Sequence, residues 1–152
     1  MNVLLDTNTV SYAIRGHEAV LRRLTAQPME TLAISSITAA ELLHGLARRP
    51  EATKLHALAH EFLLRVEVLP WERVVAERYA QARATMEKRG INLSALDWLI
   101  AAHALSLDRI LVTHDLGSPA LQWVIGPHHT YPITGSNLPN VVPQYSKMPG
   151  HG

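Results

Sequence analysis

The chain lacks cysteine altogether and has no long apolar segment. Without cysteine there is no disulfide, no catalytic thiol and no cysteine-ligated zinc, a composition typical of a reducing compartment. No apolar run approaches the roughly 20 residues that cross a bilayer, and the first residues do not form a secretory signal. From these absences we expect a cytoplasmic protein with no membrane partner.

Charged residues are also scarce, at 18% of the 152 residues, and aspartate is scarcer than glutamate. Nine of the thirteen acids are glutamate, which suits solvated helix surfaces, whereas aspartate favours caps, turns and metal sites. If four acids that follow strands or begin helices are counted separately as one cluster, the rest of the chain has 14 basic and nine acidic residues. This balance suits an acidic metal pocket on a body that binds a polyanion, although an evenly spread positive surplus would have no such meaning.

The remaining composition, with 47% hydrophobic residues, is that of one folded domain. Short apolar runs typical of buried strands alternate with longer segments whose apolar residues recur every three or four positions. This alternation predicts an α/β fold of three layers, with a central parallel sheet flanked by helices. The predicted strands are 3–5, 31–35, 66–70 and 109–113, and the predicted helices are 9–14, 18–26, 36–49, 51–65, 71–89 and 94–107.

The composition changes after Asp115. Six of the nine prolines and five of the eight glycines lie in 116–152, and no Asp, Glu, Lys or Arg occurs in 116–146. We therefore predict an ordered domain over residues 1–125 and an irregular C-terminal tail over residues 126–152.

Four acids are predicted to meet at one edge of the sheet. Asp6 follows the first strand directly, Asp115 follows the strand 109–113 by one residue, and Glu41 and Asp97 lie in the opening turns of helices. Ligands of open parallel sheets bind beyond the carboxyl ends of the strands. Because neighbouring carboxylates repel unless a cation lies between them, this arrangement predicts a Mg²⁺ or Mn²⁺ site suited to phosphodiester cleavage.

Each acid, taken alone, also has a purely structural explanation. Thr38 and Glu41 match a capping box, Ser94 and Asp97 match a looser version of it, and an aspartate at a strand end can turn the chain. The combination favours the site, since no Lys or Arg lies within three residues of Asp6, Glu41 or Asp97.

Four segments resemble the sequence blocks of the PIN-domain ribonucleases, and in detail those of the VapC-type toxins of bacterial toxin-antitoxin pairs. The resemblance extends from Met1 to Asp115, with the blocks in the family's order and spacing. The segments are VLLDTNTVSYAIRG, ISSITAAELLHGL around Glu41, SALDWLIAAHAL around Asp97, and ILVTHD ending at Asp115.

The resemblance implies a PIN-like sandwich and a Mg²⁺-dependent endoribonuclease of the bacterial cytoplasm, with Mn²⁺ as the alternative ion and transfer RNA as the expected substrate. It implies that Asp6 and Asp97 bind the metal directly, and that Glu41 and Asp115 bind it directly or through water, or position the nucleophile. Supporting hydrogen bonds are expected from Thr7, Asn8 and Thr113.

The resemblance also implies partners. We expect a homodimer that binds a small VapB-like antitoxin, whose C-terminal segment blocks the acidic groove, in a heterotetramer or larger assembly. DNA would be contacted only through the antitoxin.

Two other functions are compatible with an acidic α/β edge: a non-catalytic, Mg²⁺-binding regulatory domain, and a degenerate PIN scaffold. A phospho-receiver is an example of such a regulatory domain, and it needs a lysine directly after one of its later strands. None of the lysines (Lys54, Lys88 and Lys147) directly follows a predicted strand, which counts against this alternative.

Overall fold

The computed structural model describes residues 2–88, 90, 92–113, 123–125 and 130–132. Strands and helices alternate along most of this length, as the spacing of apolar residues predicts. The strands are β1 (Val3–Leu5), β2 (Leu32–Ser35), β3 (Glu67–Leu69), β4 (Ile110–Val112), β5 (Trp123–Ile125) and β6 (Thr130–Pro132). The helices are α1 (Thr7–Ile14), α2 (Glu18–Thr25), α3 (Ser36–Ala47), α4 (Thr53–Arg65), α5 (Arg73–Lys88) and α6 (Ala95–Ser106).

The strands form one sheet in the order β3-β2-β1-β4-β5-β6. The first four in this order pair in parallel, and β5 and β6 extend the sheet in antiparallel fashion. The predicted α/β class is therefore confirmed. Strand β6 lies within the predicted tail, so the sheet continues beyond residue 125, and the rest of 126–152 lies outside the described residues.

Two hydrophobic cores lie on opposite faces of the sheet, which gives the predicted three layers. Successive side chains of a strand point to opposite faces, so Leu5 and Leu4 belong to different cores. The core of Leu5 also contains Val10 from α1 and Val20 from α2, while the core of Leu4 contains residues of α6. The central strands β1 and β4 are apolar throughout because both faces of the sheet are covered there, whereas the edge strand β3 contains the exposed Glu67.

Helix α6 is the central helix of the second core. Its residues Ile100, Ala101 and Ala104 are at most 2% exposed, as expected for a helix that is apolar on most sides. Helix α5 packs beside it, and the guanidinium of Arg83 lies 5.7 Å from the centre of the buried Trp98 ring. Helix α6 is thus buried between the sheet and α5.

The carboxyl ends of β1, β2 and β4 are level with one another. Leu5 pairs in register with Ile34 on one side and with Val112 on the other. Asp6, the next residue, donates its backbone N–H to the carbonyl of Val112 at 3.1 Å. Because the chain leaves β1 toward β2 on one side and β4 lies on the other, Asp6 stands at the switch point of the sheet.

Among the residues that the structure describes, no helix is long and apolar enough to cross a membrane.

We predict that Ile100→Ala lowers the free energy of unfolding by about 2–5 kcal/mol, because it leaves a cavity beneath the sheet. Leu96→Ala, one turn earlier on the same helix, should change it by less than about 0.5 kcal/mol, since Leu96 is 43% exposed. Urea denaturation of both variants measures the difference. Equal losses would mean that α6 is not buried on the face described.

Candidate active site at the carboxyl edge of the sheet

Asp6 caps helix α1 from the end of strand β1. Its carboxylate accepts a hydrogen bond from the backbone N–H of Thr9 at 2.8 Å, and its side chain is nearly buried. The hydroxyl of Thr9 donates to the carbonyl of Val112 at 3.3 Å, which ties this turn to β4. Capping and membership of a site are therefore compatible, because the cap uses only part of the carboxylate's capacity to accept hydrogen bonds.

The environment of Asp6 disfavours its charge. The pKa of Asp6 is raised from 3.8 to about 6, mainly by burial and to a smaller extent by the negative charges of Asp97 and Glu41, while hydrogen bonds from Thr9 act in the opposite direction. Three of the predicted acids are therefore close enough to interact electrostatically. Within the described residues, none of the three forms an ion pair with Lys or Arg.

Glu41 is joined to this site through Thr7. The Thr7 hydroxyl donates a hydrogen bond to Oε1 of Glu41 at 2.7 Å, and the buried hydroxyl of Thr38 lies 3.4 Å from that of Thr7. The capping-box interpretation of Thr38 and Glu41 is wrong, because α3 begins at Ser36 and Ser35 accepts the capping hydrogen bond. Glu41 therefore has no role in capping α3, and its side chain is half-buried beside Thr7.

Asp97 lies in the first turn of α6. Its backbone N–H donates to the hydroxyl of Ser94 at 3.2 Å, so Ser94 is the N-cap, as the sequence predicts. The side chain is exposed, which leaves its carboxylate accessible to a ligand. Since its charge raises the pKa of Asp6, Asp97 belongs to the same edge despite its distance along the chain.

The other predicted site residues differ in position and exposure. Asp115 lies outside the described residues. Thr113 is half-buried directly after β4, next to the strand end from which Asp6 emerges. Asn8 is exposed and lines a cavity together with Thr7 and Glu41.

The donor chemistry of this edge fits a hard divalent cation. Carboxylate and hydroxyl oxygens are the ligands that Mg²⁺ prefers, and the uncompensated acids around Asp6 supply the negative charge. Within the described ranges, no three His, Asp or Glu side chains are arranged to hold a metal ion between them. Mg²⁺ commonly uses only one or two carboxylates and keeps several waters, so the fit does not need three converging ligands.

The structure adds two hydroxyl residues that the sequence patterns did not assign to the site. Thr9 holds Asp6 and the end of β4, and Thr38 lies beside Thr7 at the bottom of the site. Both are buried polar residues within three positions of a candidate acid, and this proximity was the available signal. His103 of α6 is buried, with its ring Nδ1 2.8 Å from the Ser35 hydroxyl.

Comparison with known proteins identifies relatives with the same arrangement of elements. Residues 3–120 match the family model described as PIN domain. The chain is 30% identical over 116 residues to the "tRNA(fMet)-specific endonuclease VapC" of Salmonella typhimurium, covering 76% of this chain and 88% of that protein. It is 34% identical over 124 residues to "Toxin FitB" of Neisseria gonorrhoeae, covering 76% and 89%.

Solved structures give the same result. The chain resembles the Rickettsia felis VapBC2 complex "bound to a DNA fragment from their promoter", with a TM-score of 0.68, 29% identity, and coverage of 77% of this chain and 90% of that chain. It also resembles the DNA-bound VapBC complex of Salmonella typhimurium, with a TM-score of 0.68, 30% identity, and coverage of 77% and 89%.

We predict that Asp6→Asn stabilises the metal-free protein well above pH 6. The unfolded chain ionises Asp6 near 3.8 and the folded chain near 6, so ionisation above pH 6 costs the folded state about 3 kcal/mol. Below 3.8 both states are protonated and this cost vanishes. The advantage of the variant in urea denaturation with EDTA should therefore shrink steadily as pH falls from about 6 to about 4.

Asp108→Asn is the matched control, because Asp108 is an exposed acid at φ 52°, a conformation that asparagine also tolerates. Its effect should be small at every pH. If Asp6→Asn instead destabilises the protein by the same amount throughout, Asp6 is an ordinary capping carboxylate and the electrostatic conflict is absent.

Proposed function

This chain belongs to the PIN-domain family and is a ribonuclease toxin of the VapC type, and from that premise we propose that its active site comprises Asp6, Glu41, Asp97 and Asp115. One observation carries the assignment. The negative charges of Glu41 and Asp97 raise the pKa of the buried Asp6, and among the described residues no basic side chain forms an ion pair with any of the three acids. Such a cluster is electrostatically unfavourable until a cation binds.

Transfer RNA is the substrate that we propose. The relatives from Salmonella typhimurium and Shigella flexneri are named tRNA(fMet)-specific endonucleases, and the Rickettsia felis relative is named a ribonuclease. Their identities with this chain, between 29% and 31%, support the same class of substrate.

The family implies dependence on a divalent metal, and we assign Mg²⁺, with Mn²⁺ as the alternative. Asp6 and Asp97 would hold the ion directly, and Glu41 and Asp115 would hold it directly or through water. When bound, the ion supplies Lewis-acid polarisation of the phosphoryl group and activates water for attack.

The chain's own groups would orient and deprotonate the attacking water. Glu41 accepts a hydrogen bond from Thr7 through Oε1, so that its orientation is held while Oε2 remains available as a proton acceptor. The water oxygen would form a bond to phosphorus as one ester P–O bond breaks, and the proton taken by Glu41 would be returned to the leaving oxygen. Asn8 and Thr113 would donate hydrogen bonds to the substrate.

We propose an antitoxin as the protein partner. The solved relatives from Rickettsia felis and Salmonella typhimurium are VapBC complexes bound to DNA, which supports DNA contact through the antitoxin. A C-terminal antitoxin segment that enters the acidic groove would neutralise the same carboxylates that hold the ion. We further propose a homodimer in the bacterial cytoplasm, assembled with the antitoxin into a heterotetramer or a larger complex.

A degenerate PIN scaffold and a Mg²⁺-binding regulatory domain are the competing functions. A scaffold needs no charged cluster, and the destabilising arrangement around Asp6 argues against it, because a buried acid with a raised pKa is typical of a functional site.

We predict that the purified protein cleaves transfer RNA with Mg²⁺ or Mn²⁺ and is inactive in EDTA. Asp6→Asn, Glu41→Gln and Asp97→Asn should each lower the cleavage rate about 100-fold or more, because each removes a ligand or a proton acceptor. Gel analysis of a labelled transfer RNA under single-turnover conditions measures the rates.

Asp108→Asn again serves as control, since it makes the same acid-to-amide change outside the site, and it should cleave at the wild-type rate. If the wild type cuts no RNA with any divalent ion, the enzyme assignment fails. If cleavage survives in all three site variants, the reaction occurs elsewhere.

A further inference from the structure

A cavity of about 240 Å³ extends from the candidate active site between α1, α3 and α4. Thr7 and Glu41 line one end of it, next to Asp6. Arg15, Arg48 and Arg49 line the same cavity. The lining also includes the apolar residues Ile14, Leu42, Leu46 and Leu55. A cavity with a carboxylate at one end and three arginines along its lining suits a polyanion that begins at a metal site and continues along the surface.

Helices α1 and α3 each contribute one face to this cavity, which is called the groove below. On α1, Thr7, Ser11 and Arg15 recur every four residues, so they share a face. On α3 and its C-cap, Glu41, Gly45 and Arg48 recur at four and three residues. Both helices start at the carboxyl edge of the sheet, so both faces lead from the acids at the helix N-termini to arginines roughly 10 Å further along.

The three arginines are available to a ligand. Each is exposed, and within the described residues they form no ion pairs. Arg15 and Arg48 are C-caps, where positive charge is favourable to the helix dipole, but that effect does not account for Arg49 or for the convergence of all three on one cavity. The ring Nε2 of His56 lies 2.8 Å from the carbonyl of Arg49 and holds the connection between α3 and α4 in place.

The glycine at position 45 is independent support for a ligand in this groove. It lies in the middle of α3, where glycine destabilises a helix relative to alanine, and its backbone does not have a positive φ. A Cβ built at Gly45 meets no atom within 4 Å, so packing in this chain does not require glycine there. A ligand that approaches the helix backbone closely would require it.

We propose that this groove binds the RNA backbone next to the cleaved bond, with Arg15, Arg48 and Arg49 binding phosphates and Gly45 allowing the strand to lie against α3. The inference rests on the proposed nuclease function and adds the direction in which the bound RNA strand extends from the cleaved bond. RNA is favoured over an antitoxin peptide because the three arginines match a repeating anionic ligand, and arginine pairs with phosphate through two parallel hydrogen bonds.

The test is equilibrium binding of transfer RNA in EDTA, where cleavage does not contribute, over a series of salt concentrations. Each arginine that contacts a phosphate should lower the slope of log K against log salt by about 0.7–0.9 when replaced by alanine. For the triple variant Arg15→Ala, Arg48→Ala, Arg49→Ala, the magnitude of the slope should thus fall by roughly 2–3. In Mg²⁺ its KM should rise while kcat is retained, because uniform binding is lost.

The matched control is the double variant Arg65→Ala, Arg73→Ala, which removes two exposed arginines outside the groove and should leave slope and KM unchanged. If the groove variants lose no more slope than this control, the proposal is overturned. It is also overturned if they bind RNA normally but are no longer neutralised by a co-expressed antitoxin, because the groove is then the antitoxin's site.

Gly45 gives a separate readout. Gly45→Ala should melt at a higher temperature than the wild type, and Gly45→Leu should keep the wild-type melting temperature or exceed it while KM rises several-fold. Normal RNA affinity in Gly45→Leu would overturn the close approach of the strand, and a lower melting temperature for Gly45→Ala would overturn the claim of open space.

These results are distinguishable from failure of the nuclease function itself. A wild-type protein that cuts no RNA with any divalent ion refutes the function. A wild type that binds and cuts RNA while the groove variants behave identically refutes only the groove.

Discussion

The hydrogen bond from the backbone N–H of Thr9 to the carboxylate of Asp6, 2.8 Å long, holds a charged group at the buried switch point of the sheet. It begins α1 directly after β1, and it fixes Asp6 beside the end of β4 through the backbone contact with Val112. The position of α1, and with it that of Thr7 and its bond to Glu41, depends on this turn. One local cap thus sets the geometry of the candidate active site.

This arrangement opposes stability. Burial raises the pKa of Asp6 to about 6, and two neighbouring carboxylates add to the effect. The folded protein therefore holds an ionised acid at neutral pH under unfavourable conditions, in the absence of a cation. Stored electrostatic cost of this kind is typical of sites whose ligand is positively charged, since the ligand removes the repulsion when it binds. The rest of the sheet, with both faces covered by apolar side chains, supplies the stability that compensates.

Helix α3 contributes a residue to the acidic cluster near one end and a residue to the groove at the other. Its first turn begins at the carboxyl edge, where Glu41 takes part in the acid cluster, and its last turn carries Arg48 to the far end of the groove. A helix that leaves a sheet edge necessarily connects that edge with the surface some distance away. Glu41 and Arg48 are therefore separated by the rise of a single helix, which fixes the distance between the proposed catalytic and RNA-binding groups.

The sequence by itself determined the order of the six helices and the first four strands and the α/β class, because apolar periodicity is local. It also predicted the sheet edge at which Asp6, Glu41 and Asp97 lie, since parallel strands bring their carboxyl ends together. It did not predict β5 and β6. It did not determine the rotation of α3 about its axis, since in this helix the apolar Leu43 is 45% exposed whereas the polar Thr38 is buried. Nor did it reveal the bond between Thr7 and Glu41, which are separated by 34 residues. Such contacts depend on how each helix turns against its neighbours, and that is decided only when the layers pack.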